Sequence, residues 1–357
     1  MSLRREGKAD MPEYRPESVD ADIVVGVDGT DDSYTALDFA MRESAKTGQT
    51  VNAVFGWTPS WSTGTDHTHD DEEWRDARHD IERNLIQWVD ERYDRIGFDR
   101  RNLKFTSVKA TEYASLLRLG GSAQQIVLAR RSMGVVPRWI MGSLHASVAG
   151  ATDTPVTVVR IEDETDELSD MSGTATLASA TNGVIMNANV NANATAGRTL
   201  SNVPDVRPSS DPHQDPHLDP EHRPIVVGMD GSESSKRALA FGIREAMINH
   251  RSLHAVFCWQ MDQMTRITGR KAMSDKGAQI LAERFVADAV AEVNIPAELT
   301  VQSEAFQLPA CRGLLEASRH ACWLVVGSGE SAARDHDPSA LVKRVLDFSE
   351  CPVTIVH

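Results

Sequence analysis

Two segments of this chain carry the same succession of short β-branched runs and longer amphipathic ones. In the first, Ile23 to Val27 reads as a buried strand. From about Asp32 to Thr47, Ala36, Leu37, Ala40, Met41 and Ala45 then recur at helical spacing, and Gly48 stands where the helix should stop. A strand over Val51 to Trp57 follows, then a helix from about Asp71 to Ile96 that turns Ile81, Leu85, Trp88 and Val89 inward. Strand, helix and strand are expected at Leu103 to Val108, Glu112 to Leu119 and Ile126 to Ala129. A helix opening near Gly142 and a strand from Pro155 close the set.

The second segment repeats the order. Strands are expected at Ile225 to Met229, Leu253 to Trp259, Leu299 to Glu304, Trp323 to Gly327 and from Pro352; helices at Glu233 to Ile248, Lys271 to Val293, Ala310 to Arg319 and Ser339 to Phe348. Laid without a gap, Ile23 to Ala45 over Ile225 to Met247 gives twelve identities in twenty-three positions, and the offset of 202 residues still holds at Trp57 and Trp259. One domain has been duplicated. Alternating strands and helices require crossovers, so each copy is expected to be a doubly wound, five-stranded parallel α/β sheet with helices on both faces. In such a sheet ligands sit beyond the carboxyl ends of the strands, where the winding reverses. The loops after Val27, Trp57 and Ala129 should therefore meet.

The domains are expected at 22–160 and 224–357, with a tail at 1–21. Residues 161–223 differ in kind: acidic at first ("EDETDELSD"), then an Ala/Asn run, then repeated Asp-Pro. Such a composition buries too little apolar surface to offset its ordering entropy, and reads as a disordered tether. It carries eleven acids against three arginines, −8 of the chain's formal −15, so the two folded copies are only mildly acidic. That balance gives no cationic surface for phosphate-rich polymers, and no nucleic-acid partner is expected. Nor is a membrane: no run approaches the length of a spanning helix, and the first twenty residues lack the apolar core of a secretion signal. The expected compartment is the cytoplasm. Cys258, Cys311, Cys322 and Cys351 form no C-x-x-C pair and read as reduced thiols, three of them in or beside strands.

Asp28 and Asp230 each end an apolar strand and precede Gly and then Thr or Ser, at a helix N-terminus. Such a carboxylate accepts hydrogen bonds from a ribose, or it completes a turn and cap; the motif alone leaves both open. At these residues the chain resembles the universal stress protein family. The resemblance is carried by "VVGVDGT" and "VVGMDGS", by "AVFGW" and "AVFCW", by "WLVVGS", and by "TPVTVVR" and "CPVTIVH", and covers about 22–160 and 224–357. It implies the adenine nucleotide alpha hydrolase-like fold and, in many members, ATP bound at the switch point.

ATP-binding members carry G-x2-G-x9-G-[ST] after the fourth strand, where bare backbone approaches phosphate. In copy one this places Ala129 and Ser132 at the first two glycine positions and keeps Gly142 and Ser143. Arg130, Arg131 and Arg138 are candidate phosphate partners or a solvated loop surface. In copy two Gly327 matches, Glu330 replaces the second glycine, Ser339-Ala340 replace the last pair, and the spacing is one short. The backbone of Gly56 or Cys258 corresponds to where the family reads the adenine edge. Trp57 and Trp259 stack on a base or pack a core. The full P-loop, the dinucleotide G-x-G-x-x-G and the G-x-S-x-G elbow are absent. Two histidine groups, His67 with His69 and His213 with His217 and His222, lack helical ligand spacing, so no metal centre is expected.

The final strands, "PVTVV" and "PVTIV", would be exposed edges unless paired. In family dimers this strand pairs across subunits, and here the tether lets the two copies pair as an internal pseudo-dimer; a homo-oligomer stays open. The expected function is that of a non-catalytic tandem universal stress protein, with weak ATP binding, assisted by Mg2+, in copy one and a degenerate site in copy two. A slow ATPase or autophosphorylating switch, and a scaffold with both sites dead, stay open.

Overall fold

The computed structural model describes residues 23–56, 67–108, 110–130, 144–160, 223–269, 274–329 and 339–357. Copy one contains β1 (Ile23–Gly26), α1 (Asp31–Thr47), β2 (Val51–Gly56), α2 (His67–Asp90), α3 (Tyr93–Ile96), β3 (Leu103–Val108), α4 (Glu112–Gly120), β4 (Gln125–Arg130), α5 (Leu144–Ala151) and β5 (Val156–Arg160). Copy two contains β6 (Ile225–Met229), α6 (Glu233–Ile248), β7 (Leu253–Cys258), α7 (Met261–Thr268), α8 (Asp275–Ala291), β8 (Val301–Phe306), α9 (Ala310–Arg319), β9 (Trp323–Gly327), α10 (Ala340–Phe348) and β10 (Val353–Val356). The tether and the N-terminal tail lie outside the described residues.

Each copy is a parallel five-stranded sheet, ordered β3-β2-β1-β4-β5 in the first and β8-β7-β6-β9-β10 in the second. The two sheets run on into one of ten strands, because β5 and β10 lie antiparallel with Thr157 opposite Thr354. Among these strand pairs that one alone is antiparallel, as a twofold relation between copies requires.

Helices cover both faces. The inner strands are apolar on both sides, as a sheet sandwiched between helix layers demands, whereas the outermost strands β3 and β8 are largely half-buried or exposed. On one face a single core passes through both copies, joining Leu116, Val148 and Val158 of the first to Leu314, Val345 and Val353 of the second. On the other face each copy has its own core, built around Leu37, Met41 and Leu85 in copy one and Leu239, Ile243 and Phe257 in copy two. Phe39 of α1 packs against both of these.

Two helix starts follow the sequence closely, while the helices expected from Asp71 and Lys271 begin at His67 and Asp275. Thr30 and Ser232 cap α1 and α6 by accepting the amide N–H of Ser33 and Ser235. Gly48 ends α1 in the left-handed region, as expected.

Three expectations are corrected. The helix expected over 71–96 is two, α2 and α3, interrupted at Glu91 and Arg92. An additional helix, α7, stands before α8, where no element was expected. In α1 the apolar stripe does not run on to Ala45, which is exposed; Glu43 and Ser44 are buried instead, because that end of the helix faces the second copy.

Candidate functional site

The sheet order sets β1 between β2 and β4, and β6 between β7 and β9. α1 and α2 pack on one face and α4 and α5 on the other, so the winding reverses between β1 and β4. Asp28 therefore emerges flanked by the ends of β2 and β4, and Asp230 by the ends of β7 and β9.

The two aspartates perform the same local task. Asp28 Oδ1 accepts the amide N–H of Thr30 at 3.0 Å and its hydroxyl, and Asp230 Oδ1 accepts the amide N–H of Ser232 at 2.9 Å and its hydroxyl at 2.6 Å. The intervening Gly29 and Gly231 both sit at φ +83°, a conformation costly for any residue with a Cβ. Each Asp-Gly-[Thr/Ser] is thus a turn that presets a capped helix. Asp28 is half-buried, whereas Asp230 is exposed.

Around Asp28, copy one holds two groups the sequence reading missed. Tyr34 is buried, stacks on Trp88 with ring centroids 5.2 Å apart, and its hydroxyl has no hydrogen-bond partner among the described residues. Burial raises its pKa, and the carboxylates of Asp31 and Asp28 raise it further. A buried unsatisfied hydroxyl costs on the order of 1–3 kcal/mol. The second group is Glu112, whose Oε1 lies 3.2 Å from where a side chain on Gly26 would begin. The period-based reading left Tyr34 off its apolar stripe and placed Glu112 at a helix start; only the fold brings them to the end of β1.

Gly56 is dictated by packing. A Cβ there would come within 2.7 Å of the backbone N and Cα of Glu112, so α4 rests directly on the end of β2. Copy two reverses the sizes: Cys258 replaces Gly56, and Gly313 of α9 makes room for its sulfur, which would lie 2.3 Å from a Cβ on that glycine. Burial pushes the Cys258 thiol up to about 11 and that of Cys351 to about 12, and no cysteine is in a disulfide. Trp259 is fully buried and donates its indole N–H to Gln279 at 3.1 Å, a packing role; Trp57 lies outside the described residues.

At the end of the fourth strand, Ala129 is half-buried beside Val159. Arg130 is not turned toward a phosphate site: its Nη1 donates to the carbonyls of Leu346 at 3.3 Å and Ser349 at 3.1 Å, closing the C-terminal end of α10 in the other copy. Arg131, Ser132, Arg138, Gly142 and Ser143 lie outside the described residues. In copy two, Gly327 presses against the first turn of α6, where a Cβ would meet the backbone and hydroxyl of Ser234 at 2.7 Å. The Gly329 N–H donates to that same hydroxyl at 3.1 Å. The loop backbone is thereby seated on the helix start.

A cleft of about 410 Å³ lined by Arg42, Lys46, Arg95 and Gly97 lies at the opposite end of α1 from Asp28. Arg42 and Lys46 are already paired there, with Asp38 and Glu43. Among the described residues no group of metal-ligating side chains occurs, and no helix is long and apolar enough to cross a membrane.

Each copy is thus a doubly wound α/β unit with a capped Asp-Gly turn after its first strand. A family model described as the universal stress protein family matches residues 21–160 and 221–357, and the chain belongs to that family. A universal stress protein of Mycobacterium tuberculosis is 25% identical over 346 residues, covering 94% of this chain and 96% of its own length. The crystal structure of a universal stress protein from Archaeoglobus fulgidus aligns with 94% of this chain and 97% of its own, at a TM-score of 0.55 and 13% identity. A shorter universal stress protein from the same organism, solved in complex with dAMP, aligns with 38% of this chain and 98% of its own, at a TM-score of 0.29 and 18% identity.

Proposed function

We propose that this chain is a cytoplasmic, non-catalytic stress-response protein whose first copy binds ATP weakly, with Mg2+, and whose second copy has lost that capacity. The two copies act as an internal pseudo-dimer through β5 and β10. One observation carries the asymmetry. Among the described residues, copy one leaves the buried Tyr34 hydroxyl close to Asp28 without a hydrogen-bond partner, while in copy two Gly327 is seated on the first turn of α6 and Gly329 donates to the Ser234 hydroxyl. A helix start covered by backbone in this way leaves less room for an anion. Asp28, Gly56 and Ala129, with Arg131, Ser132, Gly142 and Ser143 of the following loop, would line the working site; Asp230 and Gly327 belong to the idle one.

Calorimetric titration of the full chain with MgATP tests this. Asp28→Ala and Asp230→Ala each remove an equivalent turn, so each should cost about 1 kcal/mol of stability. Asp28→Ala should also weaken ATP binding about tenfold or more, while Asp230→Ala leaves it unchanged. Equal losses of affinity would overturn the asymmetry. Phosphate release from the wild-type chain would overturn the non-catalytic reading.

A further inference from the structure

The duplication sets Glu43 of α1 and Glu245 of α6 at equivalent positions, and both carboxylates are buried, at 5% and 3% exposure. They face each other across the joint between copies. Lys46 Nζ donates to Glu43 Oε1 at 3.0 Å and to the side-chain oxygen of Asn249, whose Nδ2 in turn donates to Glu43 Oε2 at 3.3 Å. Arg244 donates to Glu245 Oε1 through Nε at 2.9 Å and Nη2 at 2.7 Å, with its guanidinium over the Phe241 ring. Arg251, after α6, and Cys322, before β9, also lie near Glu43 and Lys46.

Two carboxylates within hydrogen-bond reach in a buried site repel when both are ionised and attract when they share one proton. We propose that Glu43 and Glu245 form a proton-operated latch between the two copies: on mild acidification the pair takes up one proton, and the resulting carboxyl–carboxylate hydrogen bond tightens the contact of α1 with α6.

Burial raises the Glu245 carboxyl, the Glu43 charge raises it further and Arg244 opposes them, leaving it at about 7 against an ordinary 4.5. When the copies separate, water restores the ordinary value. The paired form therefore holds the extra proton between about pH 4.5 and pH 7, so pairing strengthens as pH falls through that window and weakens as pH rises through about 7.

The latch rests on the pairing of copies proposed above, and one experiment separates the two. Hydrogen exchange of peptides from β5 and β10 is followed in the full chain from pH 5.5 to 8, corrected for the intrinsic exchange rate. Unprotected strands at every pH would remove the pairing itself. Protected strands whose protection rises as pH falls, by at most about tenfold per pH unit, are the result expected for one linked proton; protection independent of pH would overturn the latch alone. Glu245→Gln, which stays neutral and still donates, should keep the acid level of protection throughout, and a wild-type slope in that variant would also overturn it. Carboxyl-carbon NMR of the wild-type chain provides a second reading that depends on no variant's folding: Glu245 should titrate near neutrality, and titration in the ordinary carboxylate range would overturn the latch.

Discussion

The joint between the copies and the strand-end sites have diverged unequally. At the joint equivalent side chains converge: Phe39 and Phe241 both gather on Trp323, Glu43 lies against Glu245, and the Thr157 and Thr354 hydroxyls bond to each other at 2.6 Å. Even where the residues differ the chemistry is kept, because Gln125 of copy one and Trp323 of copy two each donate an N–H to the threonine of their own copy. The strand ends have drifted: Tyr34 stands where copy two has Lys236, which pairs with Glu233 and Glu292, and Gly56 stands where copy two has Cys258. A joint residue answers to both halves at once, whereas a site residue answers only to its own.

The largest expected effect comes from forcing one copy's packing on the other. Gly56→Cys drives a side chain into the α4 backbone and should destabilise by about 3 kcal/mol. Adding Ser115→Gly, which copies the room Gly313 provides, should recover about 1 kcal/mol in a double-mutant cycle followed by denaturant unfolding. Strict additivity would show that the size exchange is not a coupled pair.

Next in size is the buried hydroxyl pair. Thr354→Val strands the Trp323 indole N–H and removes a partner of Thr157, and should cost about 1–3 kcal/mol in thermal or denaturant unfolding. A cost no larger than that of an exposed Thr→Val change would mean that the network adds nothing to the joint.

The smallest concerns the ends of the two equivalent helices. Gly48 closes α1 at φ +74°, while His250 occupies the same place after α6 at φ +51°. His250→Gly should stabilise by about 0.5–1 kcal/mol, the relief of a left-handed side chain less the chain entropy of a new glycine. A loss of stability would show that the imidazole makes compensating contacts.

Much of the fold was legible because duplication let each copy check the other: α6 and α9 fall at Glu233–Ile248 and Ala310–Arg319, as the spacing predicts. The break after α2 and the short α7 were not, since neither carries a Gly or Pro inside its run to mark it. The turn and cap at Asp28 and Asp230 were legible, because strand end, glycine and cap are contiguous in sequence. Tyr34 and Glu112 were hidden because their meeting with β1 is made by tertiary packing. Ala45 was misplaced, and Glu43 overlooked, for a related reason: periodicity finds an apolar stripe, but a buried charge facing a second copy of the same helix leaves no trace in the pattern.

The antiparallel meeting of β5 with β10 brings Arg160 and Ile225 to the same end of the sheet, separated by the spacings β5–β10, β10–β9 and β9–β6. At about 4.8 Å each, that gap is roughly 14 Å, which about five extended residues would cross. Joining the halves thus demands only a small part of the 63 residues from 161 to 223. The surplus length is not set by connectivity.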